Sequence, residues 1–269
     1  MKMFWRCLRV LVLAYLGVCG VLWLLENSLL YRPSQAADDW VPAPLVDIED
    51  VDLAATDGTP IHAWFLPCPG ADQALLYCHG NAGNLSHRAG SIAKLRDFLK
   101  LHVIIFDYPG YGKSGGRPTE QGCYLAADAA YTFLTEARKI QPQKILLYGG
   151  SLGGGVAVDL AARKPHRGLV LVKTFTSAPD AGATLFPWLP VRWLMRNRFD
   201  NMAKIKDCKG PVFIGHGTLD TLIPFTQGKR LFEAANEPKQ FFALVGDDHN
   251  DPLPLEFFTA LRAFLENNP

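Results

Sequence analysis

The sequence predicts an α/β fold built on a mostly parallel, doubly wound sheet. Two observations lead there: short apolar runs alternate with helical patterns, and the runs are apolar throughout instead of alternately polar. Strands covered by helices on both faces are buried on both sides, so they read as continuous apolar runs. Their alternation with helices at this spacing is the pattern of crossover-connected parallel strands.

In chain order, the first element is an uncharged stretch, Val10 to Leu25, reading VLVLAYLGVCGVLWLL. It is a little short of the roughly 20 residues that span a bilayer as a helix, a gap that tilt or snorkelling arginines close. Lys2, Arg6 and Arg9 precede it and Glu26 follows. That asymmetry predicts a cytoplasmic N-terminus with the rest of the chain exported. Leu22-Trp23-Leu24-Leu25 lacks the small residues of a cleavage site, and Val18 fits poorly before a lipoprotein cysteine at Cys19. The expectation is therefore an uncleaved signal anchor over residues 1–27, a single-pass transmembrane helix. Residues 28–47, with Pro33, Pro42 and Pro44, read as an extended linker. Residues 48–269 are long enough for one sizeable core.

Within that region the expected strands are Ile61–Leu66, Ala74–Cys78, Val103–Phe106, Lys144–Tyr148, Gly168–Val172, Val212–Gly215 and Phe241–Val245. Between them lie helical patterns at His87–Leu99, Leu125–Ile140, Leu152–Arg163, Gln227–Ala235 and Leu255–Leu265. Sheets of this kind place their sites at the carboxyl ends of the strands. A composition of 49% hydrophobic and 20% charged residues is that of a folded protein. The net charge of +1 gives no electrostatic reason for a nucleic-acid partner. The six cysteines form no CxxC pair and are not interleaved with histidines at metal-ligand spacing, so buried free thiols are expected.

Two stretches match G-x-S-x-G: Gly112-Lys113-Ser114-Gly115-Gly116 and Gly149-Gly150-Ser151-Leu152-Gly153. The motif has physical meaning as a strained strand-to-helix turn that lifts a serine above the sheet. Ser151 follows a strand directly and opens a helix. Ser114 lies past Pro109 and is followed by Arg117-Pro118, so it reads as a loop serine. A serine is a weak nucleophile and needs a base that is itself oriented. In such turns the order along the chain is Ser, then Asp or Glu, then His, each after a later strand. Asp220 follows the strand VFIG and His249 follows FFALV, so Asp220 is the expected orienting acid and His249 the expected base. His216 and His79 read as structural.

The developing oxyanion needs two backbone donors, one just after the nucleophile and one from the loop after an earlier strand. Leu152 supplies the first, and Asn81, in the loop His79–Asn84, is the expected second. No GxGxxG opens a helix and no P-loop pattern occurs, so a nucleotide role is not expected.

HGNAGN at 79–84, DYPGYGKSGGRPTE at 107–120, GGSLGG at 149–154 and HGTLDTLIP at 216–224 together resemble the membrane-anchored α/β-hydrolase-domain proteins. That branch includes protein depalmitoylases and lysophospholipases. Leu30-Tyr31-Arg32-Pro33 after the anchor is also similar to it. The resemblance covers roughly residues 48–267. It implies an α/β-hydrolase fold with an eight-stranded sheet and a Ser-Asp-His triad carried onto Ser151, Asp220 and His249. Two departures stand out. Relatives usually carry an acidic or small residue and a proline around Lys173–Ser177, and a glycine-rich turn where this chain has Asp247-Asp248.

The interval Thr174–Lys209 leaves room for a small lid of one or two short helices. Its Phe186, Trp188, Leu189, Trp193, Leu194 and Met195 suit an acyl pocket, a membrane interface or ordinary core, and the sequence does not choose. The expected activity is serine-hydrolase cleavage of a carboxylic ester or thioester, lipid or acylated substrates included, with no metal or organic cofactor. A peptidase using the same triad stays open, and would need an acidic subsite for a substrate amine. So does a non-catalytic, membrane-anchored interaction protein, since fold does not fix function.

Overall fold

The apolar runs become the inner strands of one twisted sheet. The computed structural model describes residues 1–42 and 48–268. Among them, eight strands form that sheet: β1 (Glu49–Ala54), β2 (Pro60–Leu66), β3 (Ala74–Cys78), β4 (His102–Phe106), β5 (Ile145–Gly150), β6 (Gly168–Val172), β7 (Val212–Gly217) and β8 (Lys239–Leu244). Their order across the sheet is β8-β7-β6-β5-β3-β4-β2-β1. β1 with β2 and β2 with β4 run antiparallel, and the other neighbours are parallel.

Successive residues of each inner strand feed opposite faces, as the pleat requires. Leu76, Leu147, Leu171 and Ile214 pack with α4 (Glu120–Thr132), α5 (Leu152–Arg163) and α9 (Phe225–Ala234). Their neighbours Leu75, Leu146, Val170 and Phe213 pack with α3 (Ala89–Leu99) and α10 (Leu255–Asn267). Both faces are therefore covered by helices, which explains why these strands carry no alternating polar positions. Of the six cysteines, all free, Cys68, Cys78, Cys123 and Cys208 are buried in the fold.

The polar strand β1, EDVDLA, was not anticipated from its sequence. It is the sheet edge, mostly exposed, and among the described residues it pairs only with β2. α4 starts at Glu120, ahead of the expected Leu125, because the Thr119 side chain accepts from the Gly122 amide at 2.9 Å and caps the helix.

At the N-terminus, α1 (Lys2–Leu24) is 23 residues long and apolar enough to cross a membrane; at 1.5 Å per residue it is about 34 Å in length. The short α2 (Glu26–Leu30) follows. The chain beyond it is extended and bonded to the surface of the sheet domain. Arg32 and Pro33 pair in parallel with Ala82 and Gly83, and the Ser34 amide donates to the Gly83 carbonyl at 3.1 Å. Tyr31 is buried in the core. Pro44, part of the expected linker, lies outside the described residues. Between β6 and β7 come three short helices, α6 (Ala178–Leu185), α7 (Val191–Leu194) and α8 (Asn201–Lys204).

Candidate active site

Ser151 sits at the turn from β5 into α5 with φ 52° and ψ −121°, a conformation costly for any residue with a side chain. The surroundings hold it there. Its amide donates to the Val172 carbonyl at 3.0 Å, and the Thr174 hydroxyl donates to its carbonyl at 2.8 Å. The flanking glycines allow the close approach this turn needs. A Cβ on Gly149 would stand 2.3 Å from the Gly153 carbonyl oxygen, and one on Gly153 2.0 Å from that of Cys78.

The loop after β7 brings Asp220 to the same end of the sheet, and the loop after β8 brings His249. His249 Nδ1 lies 2.8 Å from Asp220 Oδ2, and His249 Nε2 lies 3.1 Å from Ser151 Oγ. An ionised carboxylate only accepts, so Nδ1 carries the proton and Nε2 turns its lone pair to the serine hydroxyl. Burial alone would raise the Asp220 pKa. Hydrogen bonds from His216, His249 and the Ile223 amide outweigh it and hold the carboxyl well below the usual carboxylate range. The acid is thus ionised at neutral pH and its two oxygens are directed: Oδ1 accepts from the Leu222 and Ile223 amides at 3.0 and 2.7 Å, leaving Oδ2 to the imidazole.

The loop after β3 lies against the serine, with the place of a Gly80 Cβ 3.6 Å from Ser151 Cβ. Among the described residues, neither the Asn81 nor the Leu152 amide donates to a protein acceptor. The Asn81 side chain, in contrast, is held on every side. Its Nδ2 donates to the Leu30 carbonyl at 2.5 Å, and its Oδ1 accepts from the Tyr111 hydroxyl at 2.9 Å and the Arg32 amide at 3.2 Å. The segment Leu30–Pro33 is therefore a wall of this loop.

The other expected structural residues take up bracing positions. The Ser114 hydroxyl donates to the Asp107 carbonyl at 3.0 Å and is remote from His249 in the bonding pattern. His79 is fully buried, which pushes its pKa down to about 4, and its ring contacts the Gly80 carbonyl at 2.7 Å. His216 Nε2 donates to the Ile223 carbonyl at 2.8 Å, behind the acid.

Two residues that sequence reasoning did not assign complete the site. Lys173, buried at the end of β6, donates from Nζ to the Asp248 and Asp251 carbonyls at 2.7 and 2.9 Å, and stands 3.6 Å from Asp247 Oδ2. Asp248 Oδ1 accepts from the Thr221 amide at 2.8 Å and the His249 amide at 2.7 Å, joining the acid loop to the base loop. The two departures from the family pattern are thus one feature: a lysine on one strand secures an acidic turn on another. The visible signal was the pairing of an unexpected cation with unexpected anions.

Ser151 and His249 open onto a cleft of about 570 Å³. Its floor is the stacked pair Tyr77 and Tyr148, with ring centroids 4.7 Å apart. Phe186, Trp188 and Trp193 do not line it; all three are exposed, so they are neither core nor acyl pocket. A second cavity of about 450 Å³, lined by Gln73, Phe98, Arg167 and Arg262, contains none of the residues above.

Residues 73–203 match the family model of the α/β hydrolase fold. The chain is 37% identical over 268 residues to an uncharacterized protein of Mycobacterium tuberculosis, covering 97% of this chain and 95% of that protein. The chain belongs to the α/β-hydrolase superfamily. Human alpha/beta hydrolase domain-containing protein 17B is 34% identical over 195 residues, which cover 72% of this hydrolase and 66% of the human protein. Among solved structures, an esterase of Pyrococcus furiosus superposes with a TM-score of 0.72 at 19% identity, covering 89% of this chain and 98% of that one. At that identity the likeness is one of fold.

Proposed function

We propose that this chain is a membrane-anchored serine hydrolase that cleaves carboxylic esters or thioesters through an acyl-enzyme, with lipid or acylated substrates as the class to test first. The observation that carries the reading is the hydrogen-bonded line from Asp220 through His249 to Ser151 Oγ, at a strained turn of the kind that clusters at active sites. His249 Nε2 takes the Ser151 proton as Oγ attacks the acyl carbon. Asp220 holds the imidazole tautomer and stabilises the imidazolium that forms. The Asn81 and Leu152 amides receive the negative charge on the carbonyl oxygen. As that intermediate collapses, the bond to the alcohol or thiol breaks and His249 protonates the leaving group. A water then attacks the acyl-serine through the same base, releasing the acid and restoring Ser151.

In this reading residues 1–27 are the anchor, 28–47 the connection and 48–269 the catalytic domain. The charges before α1 favour a cytoplasmic N-terminus and an exported domain. A topology reporter fused to the C-terminus that is active only in the cytoplasm would overturn that orientation. The chemistry is tested with a slowly deacylating nitrophenyl ester followed by peptide mass analysis. The expected result is an acyl adduct on the peptide containing Ser151, absent from His249→Ala; turnover of esters with no adduct in any condition would contradict the acyl-enzyme route. Parallel panels of esters, thioesters and aminoacyl amides then separate the esterase from the peptidase.

A further inference from the structure

The lid carries an apolar surface that the cleft does not use. From Ala181 to Val191 the chain reads AGATLFPWLPV, with no charge. Phe186 is 48% exposed, Trp188 61% and, just beyond, Trp193 91%. A contiguous exposed apolar patch marks a surface that meets something other than water. The Asp180–Arg192 ion pair, at 2.7 Å, closes the base of the segment.

The same segment is fastened to α1. The Tyr15 hydroxyl donates to the Trp188 carbonyl at 3.0 Å. Tyr15 lies ten residues before Leu25, which is about 15 Å of helix. Trp188 therefore stands beside the middle of the uncharged stretch and not at its exit. A second fastening lies at the exit itself. Buried Glu26 accepts from the Arg196 amide at 3.0 Å, the Arg196 Nε at 3.0 Å, and the Asn197 amide and side chain at 2.8 Å each. The Arg196 guanidinium also stacks over the Trp23 ring, 4.6 Å from its centroid. Helix and lid, both with exposed apolar side chains, are thus held to each other by two separate sets of bonds.

We infer that the lid segment 181–193 is seated in the same lipid surface as α1. The inference rests on the reading of α1 as a membrane anchor. It holds for either pose of that helix. An upright α1 carries the Trp188 loop into the hydrocarbon alongside Tyr15. A helix lying in the interface lays the loop beside it at headgroup level, where tryptophan is favoured. The cleft lies next to the same surface, because Asn81, which lines it, is bonded to Leu30 just past the anchor. An acyl chain then reaches Ser151 from the bilayer without crossing water.

The test uses the full chain reconstituted in phosphatidylcholine vesicles, with the wild type compared with Trp188→Phe and Trp193→Phe. Tryptophan fluorescence is quenched from the lipid side by mid-chain brominated phosphatidylcholine and from the water side by acrylamide. The expected result is that each substitution removes a component quenched by brominated lipid and shielded from acrylamide. Flotation of the chain with the vesicles reads the membrane association of α1 separately. A chain that floats while the Trp188 and Trp193 components answer only to acrylamide overturns the seating of the lid and leaves the anchor standing. A chain that does not float overturns both.

Discussion

The cleft at the carboxyl ends of β5, β7 and β8 and the lid that lies against α1 are completed in opposite ways. In the cleft, the charged groups are met by the protein itself: Asp220 by two amides and an imidazole, Lys173 by two carbonyls, Asp248 by both neighbouring loops. Where the lid meets α2, the buried charge of Glu26 is fully met, while the large apolar side chains of the lid are left outside. The first region has fixed polar groups of the kind the proposed chemistry would use. The second is stable where it is pinned and unfinished where it is exposed. Substitutions in the cleft should therefore act on turnover, and substitutions at the pin on stability.

The largest expected effect is that of Ser151→Ala, a fall in kcat of about 10⁶-fold on a chromogenic ester, by comparison with other serine triads. Ser114→Ala should leave kcat unchanged, and an equal loss there would break the assignment of the turn. Asp220→Asn should lower kcat by about 10⁴-fold with KM little moved, because the wrong imidazole tautomer then faces the serine. The same variant carries a pH signature. The Asp220 carboxyl titrates below its unfolded-state value, so its contribution to stability is present above the ordinary carboxylate range and is lost as pH falls through its depressed folded value. Urea unfolding should show the gap between wild type and Asp220→Asn at neutral pH and its narrowing in acid; a constant gap would contradict the charge argument.

Lys173→Met tests whether the base loop needs its fastening. Small misplacements of a catalytic group cost on the order of 10²-fold, so kcat should fall by about that much, with Lys173→Arg recovering part of it. A loss confined to KM would instead make Lys173 a substrate contact. The smallest expected effect is at the lid. Glu26→Ala leaves the Arg196 and Asn197 donors without their acceptor, a destabilisation of about 1–3 kcal/mol, read as a lower Tm in detergent. Its kcat on a soluble ester should move far less than that of Lys173→Met. A reversal of that order would dissolve the contrast between the two regions.

Much of this contrast was legible in the residues. The inner strands declared themselves because burial on both faces demands continuous apolar runs. Ser151 was separable from Ser114 because only one of the two motifs joins a strand to a helix. Chain order points to Asp220 and His249, and the two side chains lie in one hydrogen-bonded line with the serine. The edge strand β1 was invisible for the converse reason: mostly exposed and acidic, it resembles a loop. The stretch after α1 looked like a free linker because its partners are far along the chain, with Arg32 meeting Asn81 and Glu26 meeting Asn197. Lys173 and the Asp247-Asp248 turn were each visible as oddities, but nothing local says that residues on different strands offset one another. The lid tryptophans had three readings, and only their exposure and the Tyr15 contact separate them.

The central claim is that Ser151 is an activated nucleophile, and labelling by a fluorophosphonate probe addresses it most directly. The account predicts that the purified wild type and Ser114→Ala label at equal rates, that Ser151→Ala does not label, and that His249→Ala labels far more slowly. A folded wild type that fails to label, or a Ser151→Ala protein that labels like the wild type, would contradict it.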